Sequence, residues 1–277
     1  MKKILAVTMA MAMTLSLAAC GGSASEEKKD EAAESVAVES TENTAETTDG
    51  GFKTVTPGKL TMSTNAAFPP YENTTDDGGF EGIDVEIAEA IAKELGLELQ
   101  IDDMDFDAAL LAAQEGKSDI VMAGVTVKEE RLKVMNFSNS YATGVQVIIV
   151  PEDSDIASVE DLADHMIGTQ RATTGNIYCE EDFGADHVTT YDNGLTAVQA
   201  LNNGQVDCVV IDSAPAEEFV KANPGLKILD TEYVTEDYAI GVSKDNPELL
   251  EAVNAALTKL QNDGTVQAII DKYIVAE

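Results

Sequence analysis

From Lys59 onward, apolar positions alternate between strand-like and helix-like spacing. Residues 59–63 read as a short strand, and Ile87, Ala88, Ile91 and Leu95 then recur at helical spacing. Asp84 stands where a cap would open that helix and Gly96 where it would stop. Leu97, Leu99 and Ile101 alternate as in a strand, and Asp107 is placed to open a second helix over 108–115. Further strands are predicted at 119–122, in the apolar run 145–150 before Pro151, near Ile167, and through Cys208. Ser158 and Asp161 have capping-box spacing, and helices are predicted at about 194–203 and after Ser213, with Pro215 in its first turn. Asn246 and Pro247 would open a long helix to Asn262, with Gly264 separating it from 266–273. Strands interleaved with helices argue an α/β architecture with mainly parallel pairing. No repeat of 20–50 residues is present.

The N-terminal segment follows a different pattern. Lys2 and Lys3 precede an apolar run over 4–12, the plan of a secretory signal peptide and too short for a membrane span. Leu17-Ala18-Ala19-Cys20 resembles a bacterial lipobox, which implies that 1–19 is removed and that Cys20 is lipidated, with palmitate among its acyl chains. The bland alternative is an ordinary signal peptide with a chance cysteine. Residues 20–52 are rich in Gly, Ser, Ala, Thr and Glu and cannot bury enough apolar surface to offset their ordering entropy. They are expected to form an acidic tether spanning roughly 30 Å or more.

The formal net charge of −34 argues against nucleic acid and anionic lipid headgroups as general partners. The remaining body, about 225 residues, is long enough for one large or two medium domains. Cys179 and Cys208 could pair in an exported protein, but Cys208 lies in an apolar run, so buried free thiols are equally compatible. His165 and His187 lack metal-ligand spacing, so no metal site or cofactor is expected.

No nucleophile elbow, phosphate loop or zinc-helix motif occurs. What remains are groups suited to a zwitterion. Arg131, with Thr126 nearby, can fork onto a carboxylate through two charge-assisted bonds worth about 1.5–3 kcal/mol each. A single Arg is more often a surface residue. Asp212 ends the run Val209-Val210-Ile211, where α/β sheets present ligand groups; its spacing fits a helix cap equally well.

Read together, the segments resemble the polar amino-acid-binding family of extracellular solute-binding proteins that serve ABC importers. Gly82-Ile83-Asp84-Val85-Glu86-Ile87 matches the signature of the first major helix, and Thr64 to Glu72 the loop after the first strand. Phe106-Asp107 takes the place of an aromatic-Asp pair, and Ala123-Gly124-Val125-Thr126 with Arg131 that of the carboxylate segment. Ala172-Thr173-Thr174-Gly175 matches the second-lobe loop with Ala for the usual Gly, and Val209 to Asp212 the amino-group segment. Asn262-Asp263-Gly264-Thr265 matches the end of the long helix, and the resemblance covers residues 58–275.

The resemblance implies a periplasmic-binding-protein-like fold of two α/β lobes joined by a two-strand hinge, with the ligand cleft between them. Lobe 1 would be 58–142 plus 240–277 and lobe 2 143–239, with hinge strands near 141–145 and 236–240. Arg131 would hold the α-carboxylate, helped by the Thr126 hydroxyl and the amides of Thr126 and Thr174. Asp212 would hold the α-ammonium with the Gly124 carbonyl and Thr126. Phe68 and Phe106 would sandwich the side chain; on spacing alone they read as core. Asn65 and Gln170, beside Thr173, are neutral and favour a glutamine-like ligand, while Glu72 and Glu232 at the rim keep a basic ligand in play. An acidic ligand ranks last. The implied protein is a monomeric, non-enzymatic lipoprotein on the extracytoplasmic face of the cell membrane, delivering a free amino acid to an ABC permease. The rivals are a sensing lipoprotein without a transporter and a cyclohexadienyl dehydratase-like enzyme.

Overall fold

The computed structural model describes residues 51–274; the segment expected to be a signal peptide, Cys20 and nearly all of the expected acidic tether lie outside the described residues. Phe52, at the expected end of the tether, is only 3 % exposed and packs into the core. A ring of that size gains too much from burial to remain in water.

The chain opens with β1 (Lys59–Thr64), a small antiparallel sheet of β2 (Ala67–Phe68), β3 (Glu72–Thr74) and β4 (Phe80–Glu81), and α1 (Ile83–Glu94). Then come β5 (Glu98–Asp103), α2 (Phe106–Gln114), β6 (Ile120–Val121), the single turn α3 (Glu129–Leu132) and the long β7 (Met135–Pro151). The next segment adds β8 (Ile167–Gln170), α4 (Thr174–Phe183), β9 (Val188–Tyr191), α5 (Gly194–Asn202), β10 (Cys208–Asp212) and α6 (Ser213–Ala222). It closes with β11 (Leu226–Ile228), β12 (Val234–Ser243), α7 (Pro247–Asn262) and α8 (Thr265–Tyr273).

The main sheet runs β5-β1-β6-β12-β7-β10-β8-β9, with β11 on β7. β1 pairs in parallel with β5 and β6 at one end, and β8 with β9 and β10 at the other. Only the strands that pass between the two ends, β7 and β12, pair antiparallel. The result is two α/β lobes joined by two crossing strands. Gly144 pairs with Glu236 and Ala142 with Tyr238 there, and the β7–β12 register slips on either side of Ala239. A slip of this kind twists the ladder locally, so the crossing is bent as well as paired.

Helix faces follow the sequence pattern. Ile83, Ile87 and Ile91 of α1 are fully buried against β1, and α7 buries Leu249, Val253, Leu257 and Leu260. Asp84 is not a cap. Gly82 holds the cap position, and the Asp84 side chain turns inward from the first turn, fully buried. In lobe 2, Cys179 and Cys208 are free and buried in one apolar cluster with Ile148 and Leu162. Burial pushes the Cys179 thiol up to about 12. Neither thiol is therefore expected to react with a thiol reagent in the native protein at neutral pH, whereas both react in denaturant. Reaction of either before unfolding would contradict this packing.

Candidate functional site

Strand ends and the loops behind them converge on one cleft between the lobes. Lobe 1 sends Asn65 and Phe68 from the segment after β1, Phe106 from the start of α2, and Gly124 and Thr126 from the loop after β6. Arg131 comes from α3, and lobe 2 contributes Gln170, Thr173 and Thr174 from the β8–α4 junction and Asp212 from the end of β10. This is the crevice beyond strand ends where open α/β sheets bind ligands. All ten candidate residues line it, together with Glu72, Ala123, Gln146, Val210 and Ile211.

Arg131 is 8 % exposed. Its Nη1 donates to Thr126 O (2.9 Å), its Nη2 reaches across the cleft to Ala172 O (3.1 Å), and its guanidinium lies 5.5 Å from the Phe106 ring centre. Burial lowers its pKa while Glu236, Tyr178 and Asp212 oppose that shift; a guanidinium stays charged under such conditions. Ala172 holds φ at 62°, the left-handed region that disfavours a side chain. The family-pattern departure at this position thus falls on a backbone that glycine would suit better.

Beneath the cleft, Phe68 stacks on Tyr71 (5.7 Å), which meets Tyr238 edge-on (5.2 Å). Gly124 adopts φ 55°, and a Cβ there would lie 2.8 Å from the Phe68 ring, so both backbone and space require glycine. Its N–H donates to Asp84 Oδ2 (3.0 Å), which also accepts the Tyr141 hydroxyl (2.8 Å). Glu72 does not stand at the rim, where the sequence placed it; β3 turns it inward and it is fully buried, whereas Glu232 is exposed. Both Glu72 oxygens and Asp84 Oδ1 lack a donor. A proton held by Glu72 and shared with Asp84 would satisfy Asp84 Oδ1 and one of the Glu72 oxygens, in keeping with the raised pKa of Glu72, driven by burial and then by Asp84.

A carboxyl whose pKa is raised by folding gives stability that is full below its unfolded value and is lost as pH rises through the folded one. Glu72→Gln, which keeps a donor and removes the charge, is therefore expected to leave the melting temperature near that of the parent at pH 4. It should exceed the parent by a margin that grows as the pH is raised. A constant difference across that range would contradict the shared proton.

On the lobe 2 side Asp212 holds the N-cap position of α6, but its carboxylate does not bond the helix. It accepts the Tyr238 hydroxyl and Gln146 Nε2 (2.8 Å). Burial, chiefly, raises its pKa to about 7. Gln146 Nε2 also donates to Glu236 Oε2 (3.0 Å), so one amide separates two buried carboxylates. Gln146, Glu236 and Tyr238 were missed as site residues by sequence reading. Their signal was present: Gln146 interrupts an apolar strand, and buried polar groups are seldom idle. Gly144 leaves room for this cluster, since a Cβ would fall on the Tyr238 hydroxyl and 2.6 Å from Asp212 Oδ1. Gly144→Ala is expected to cost about 1–3 kcal/mol of stability by overpacking and to weaken ligand binding by displacing Asp212. An unchanged midpoint in denaturant titration would rule this out.

The β8–α4 junction carries the remaining groups. Thr173 Oγ1 donates to Gln170 O (2.7 Å) and accepts from Asn176 N (3.3 Å), so its hydroxyl serves as the α4 cap. The Thr174 hydroxyl donates to Glu236 Oε2 (2.8 Å), while its amide is among the helix-start N–H groups that favour an anion. Across the cleft, Gln170 Nε2 donates to Asn65 Oδ1 (2.9 Å), and Asn65 Nδ2 donates to Met104 O (2.9 Å). The two neutral amides thus pair with each other.

A forked cation on one wall and a buried carboxylate on the other thus face one cleft between two α/β lobes. A family model for bacterial extracellular solute-binding proteins, family 3, matches residues 60–276, and the chain belongs to that family. It is 31 % identical over 284 residues to a probable histidine-binding protein of Neisseria gonorrhoeae, covering 100 % of this chain and 97 % of that one. Two solved structures of an ancestral arginine-binding protein are similar. The form bound to glutamine has a TM-score of 0.76 at 39 % identity, covering 80 % of this chain and 100 % of that one. The form bound to arginine has a TM-score of 0.75 at 40 % identity, covering 78 % and 98 %.

Proposed function

We propose that this protein captures a free L-α-amino acid outside the cytoplasm and delivers it to the permease of an ABC importer. The opposed placement of Arg131 and Asp212 carries the reading. Arg131, with the Thr126 hydroxyl and the Thr126 and Thr174 amides, takes the α-carboxylate, while Asp212 and the Gly124 carbonyl take the α-ammonium. Phe68 and Phe106 flank the side chain. Lobe 1 comprises 58–142 and 240–277 and lobe 2 143–239. Because both supply ligand contacts, binding energy favours the closed form, and no bond is broken. Cys20 anchors the monomer to the membrane by lipid, and the acidic tether holds it near the permease.

The buried charges favour a cationic side chain. Arg131 faces two buried carboxylates, Asp212 and Glu236. A zwitterion leaves that balance unchanged, and a positive side chain neutralises it. The Asn65–Gln170 amide pair supports a second reading, a neutral amide such as glutamine. The ancestral arginine-binding protein has been solved with a ligand of each class, glutamine and arginine. An anionic side chain meets no second cation among the cleft-lining residues. In a thermal-shift panel, L-arginine, L-histidine or L-glutamine is expected to raise the midpoint by several degrees at saturating concentration, and L-glutamate to leave it unchanged. Stabilisation by glutamate alone would overturn the side-chain assignment.

A further inference from the structure

We infer that Lys128, Tyr178 and Glu236 form a closure latch, a chain of contacts outside the ligand cleft that holds the lobes shut and sets how long the ligand stays. The inference rests on the two-lobed capture reading and adds residues that do not touch the ligand.

Lys128 belongs to lobe 1, where it holds the cap position of α3 two residues after Thr126. Its Nζ lies 4.1 Å from the ring centre of Tyr178, which belongs to α4 in lobe 2. The Tyr178 hydroxyl donates to Glu236 Oε1 (2.9 Å), on the crossing strand β12. The other oxygen of Glu236 takes the Thr174 hydroxyl (2.8 Å) and Gln146 Nε2 (3.0 Å). One lobe, the opposite helix and both crossing strands are thereby tied together. None of the three residues lines the cleft.

The geometry depends on closure. An ammonium over a tyrosine face at this distance is attracted by the ring quadrupole. Opening the lobes would carry the Lys128 backbone away from α4 and break that contact, while the Tyr178–Glu236 bond stays within lobe 2 and the hinge. Glu236 fixes the ring by its hydroxyl and so orients the face that Lys128 meets. Lys128 and Tyr178 are both only half-buried, so the latch sits at the margin of the cleft, where it can form and break without disturbing either core. Of the other contacts between the lobes, Asn65–Gln170 joins two cleft-lining residues and Arg131–Ala172 uses one, while the longer Arg171–Asp107 ion pair (3.9 Å), like the latch, lies outside the lining. The Lys128–Tyr178 contact is therefore a means of tuning affinity independent of specificity: ligand contacts choose the amino acid, and the Lys128–Tyr178 contact sets the closed population for every amino acid alike. Glu236, which orients the ring, also belongs to the charge balance of the cleft.

The test uses the full-length chain, with L-arginine and L-glutamine as probes. Lys128→Ala is expected to raise the off-rates by roughly 2- to 30-fold, with the ratio of the two Kd values unchanged. Lys128→Arg, which keeps a cation over the ring, should restore the parent rates. Tyr178→Phe keeps the ring but frees it from Glu236, and should shift the off-rates in the same direction by less. Spin labels at Leu111→Cys and Leu195→Cys, exposed positions on α2 and α5 in a Cys20→Ser background, report the distance between lobes without ligand. Lys128→Ala should lengthen that distance distribution. Unchanged off-rates and an unchanged distribution would overturn the latch, as would a change in the arginine-to-glutamine ratio, which would place these residues in the ligand site. If the parent binds neither probe, the capture reading fails, and the label distances alone decide the latch.

Discussion

Arg131→Ala is expected to abolish amino-acid binding at micromolar concentrations while leaving the fold intact. Removing one partner of a buried, hydrogen-bonded charge pair costs about 2–5 kcal/mol, which raises Kd roughly 30- to 5,000-fold. The loss exceeds that of an exposed pair because Arg131 is 8 % exposed and the ligand carboxylate meets no other cation in the cleft. Its guanidinium hydrogen-bonds the carbonyls of Thr126 and Ala172 and no carboxylate, so truncation breaks no direct ion pair, although Asp212 and Glu236 lose a cation that acts on them at longer range. Arg131→Lys keeps the charge and loses the planar fork, and should fall between parent and alanine variant. Titration calorimetry, with circular dichroism as the folding control, reads both. Retained affinity in the alanine variant would place the carboxylate elsewhere.

Asp212→Asn is expected to have the second-largest effect and a pH signature of its own. In the closed, ligand-free protein the Asp212 carboxyl has its pKa raised to about 7, chiefly by burial, with Glu236 adding to the shift and Tyr238 and Gln146 opposing it. An ammonium binds only the ionised form, so capture requires the proton to leave. Apparent affinity should be nearly flat above pH 8 and fall roughly tenfold per unit below pH 7. Near neutral pH, binding should release protons, visible as a dependence of the calorimetric heat on the ionisation enthalpy of the buffer. Asp212→Asn should remove the slope together with the affinity. A parent whose Kd is constant from pH 5 to 8 would show that Asp212 does not receive the ammonium.

The residues that line the cleft were legible because their chemistry lies in local strings. Arg131 follows Thr126 by five residues on one loop-and-turn segment, and Asp212 ends an apolar strand, so each was visible without the fold. What supports them was not. Gln146 and Glu236 sit 90 residues apart and meet only because β7 and β12 cross between the lobes. The apolar run 145–150 announced a strand but concealed that it extends back to Met135 and carries one buried amide. Helix α4 escaped the helical pattern because its first turn buries Thr174, Gly175 and Asn176, small or polar residues facing the cleft, where an ordinary core helix would bury branched apolar ones. Asp84 read as a cap because an acid at a helix start usually is one, and its inward course depends on the Gly124 amide 40 residues away.

The most direct measurement is a calorimetric titration of the full-length chain, unfolded and refolded to strip any carried ligand, with L-arginine and L-glutamine at pH 8. One-to-one binding of at least one of them, lost in the Arg131→Ala, Asp212→Asn double variant, is the predicted result. Binding of neither by the stripped parent, or equal binding by parent and double variant, would contradict the zwitterion trap.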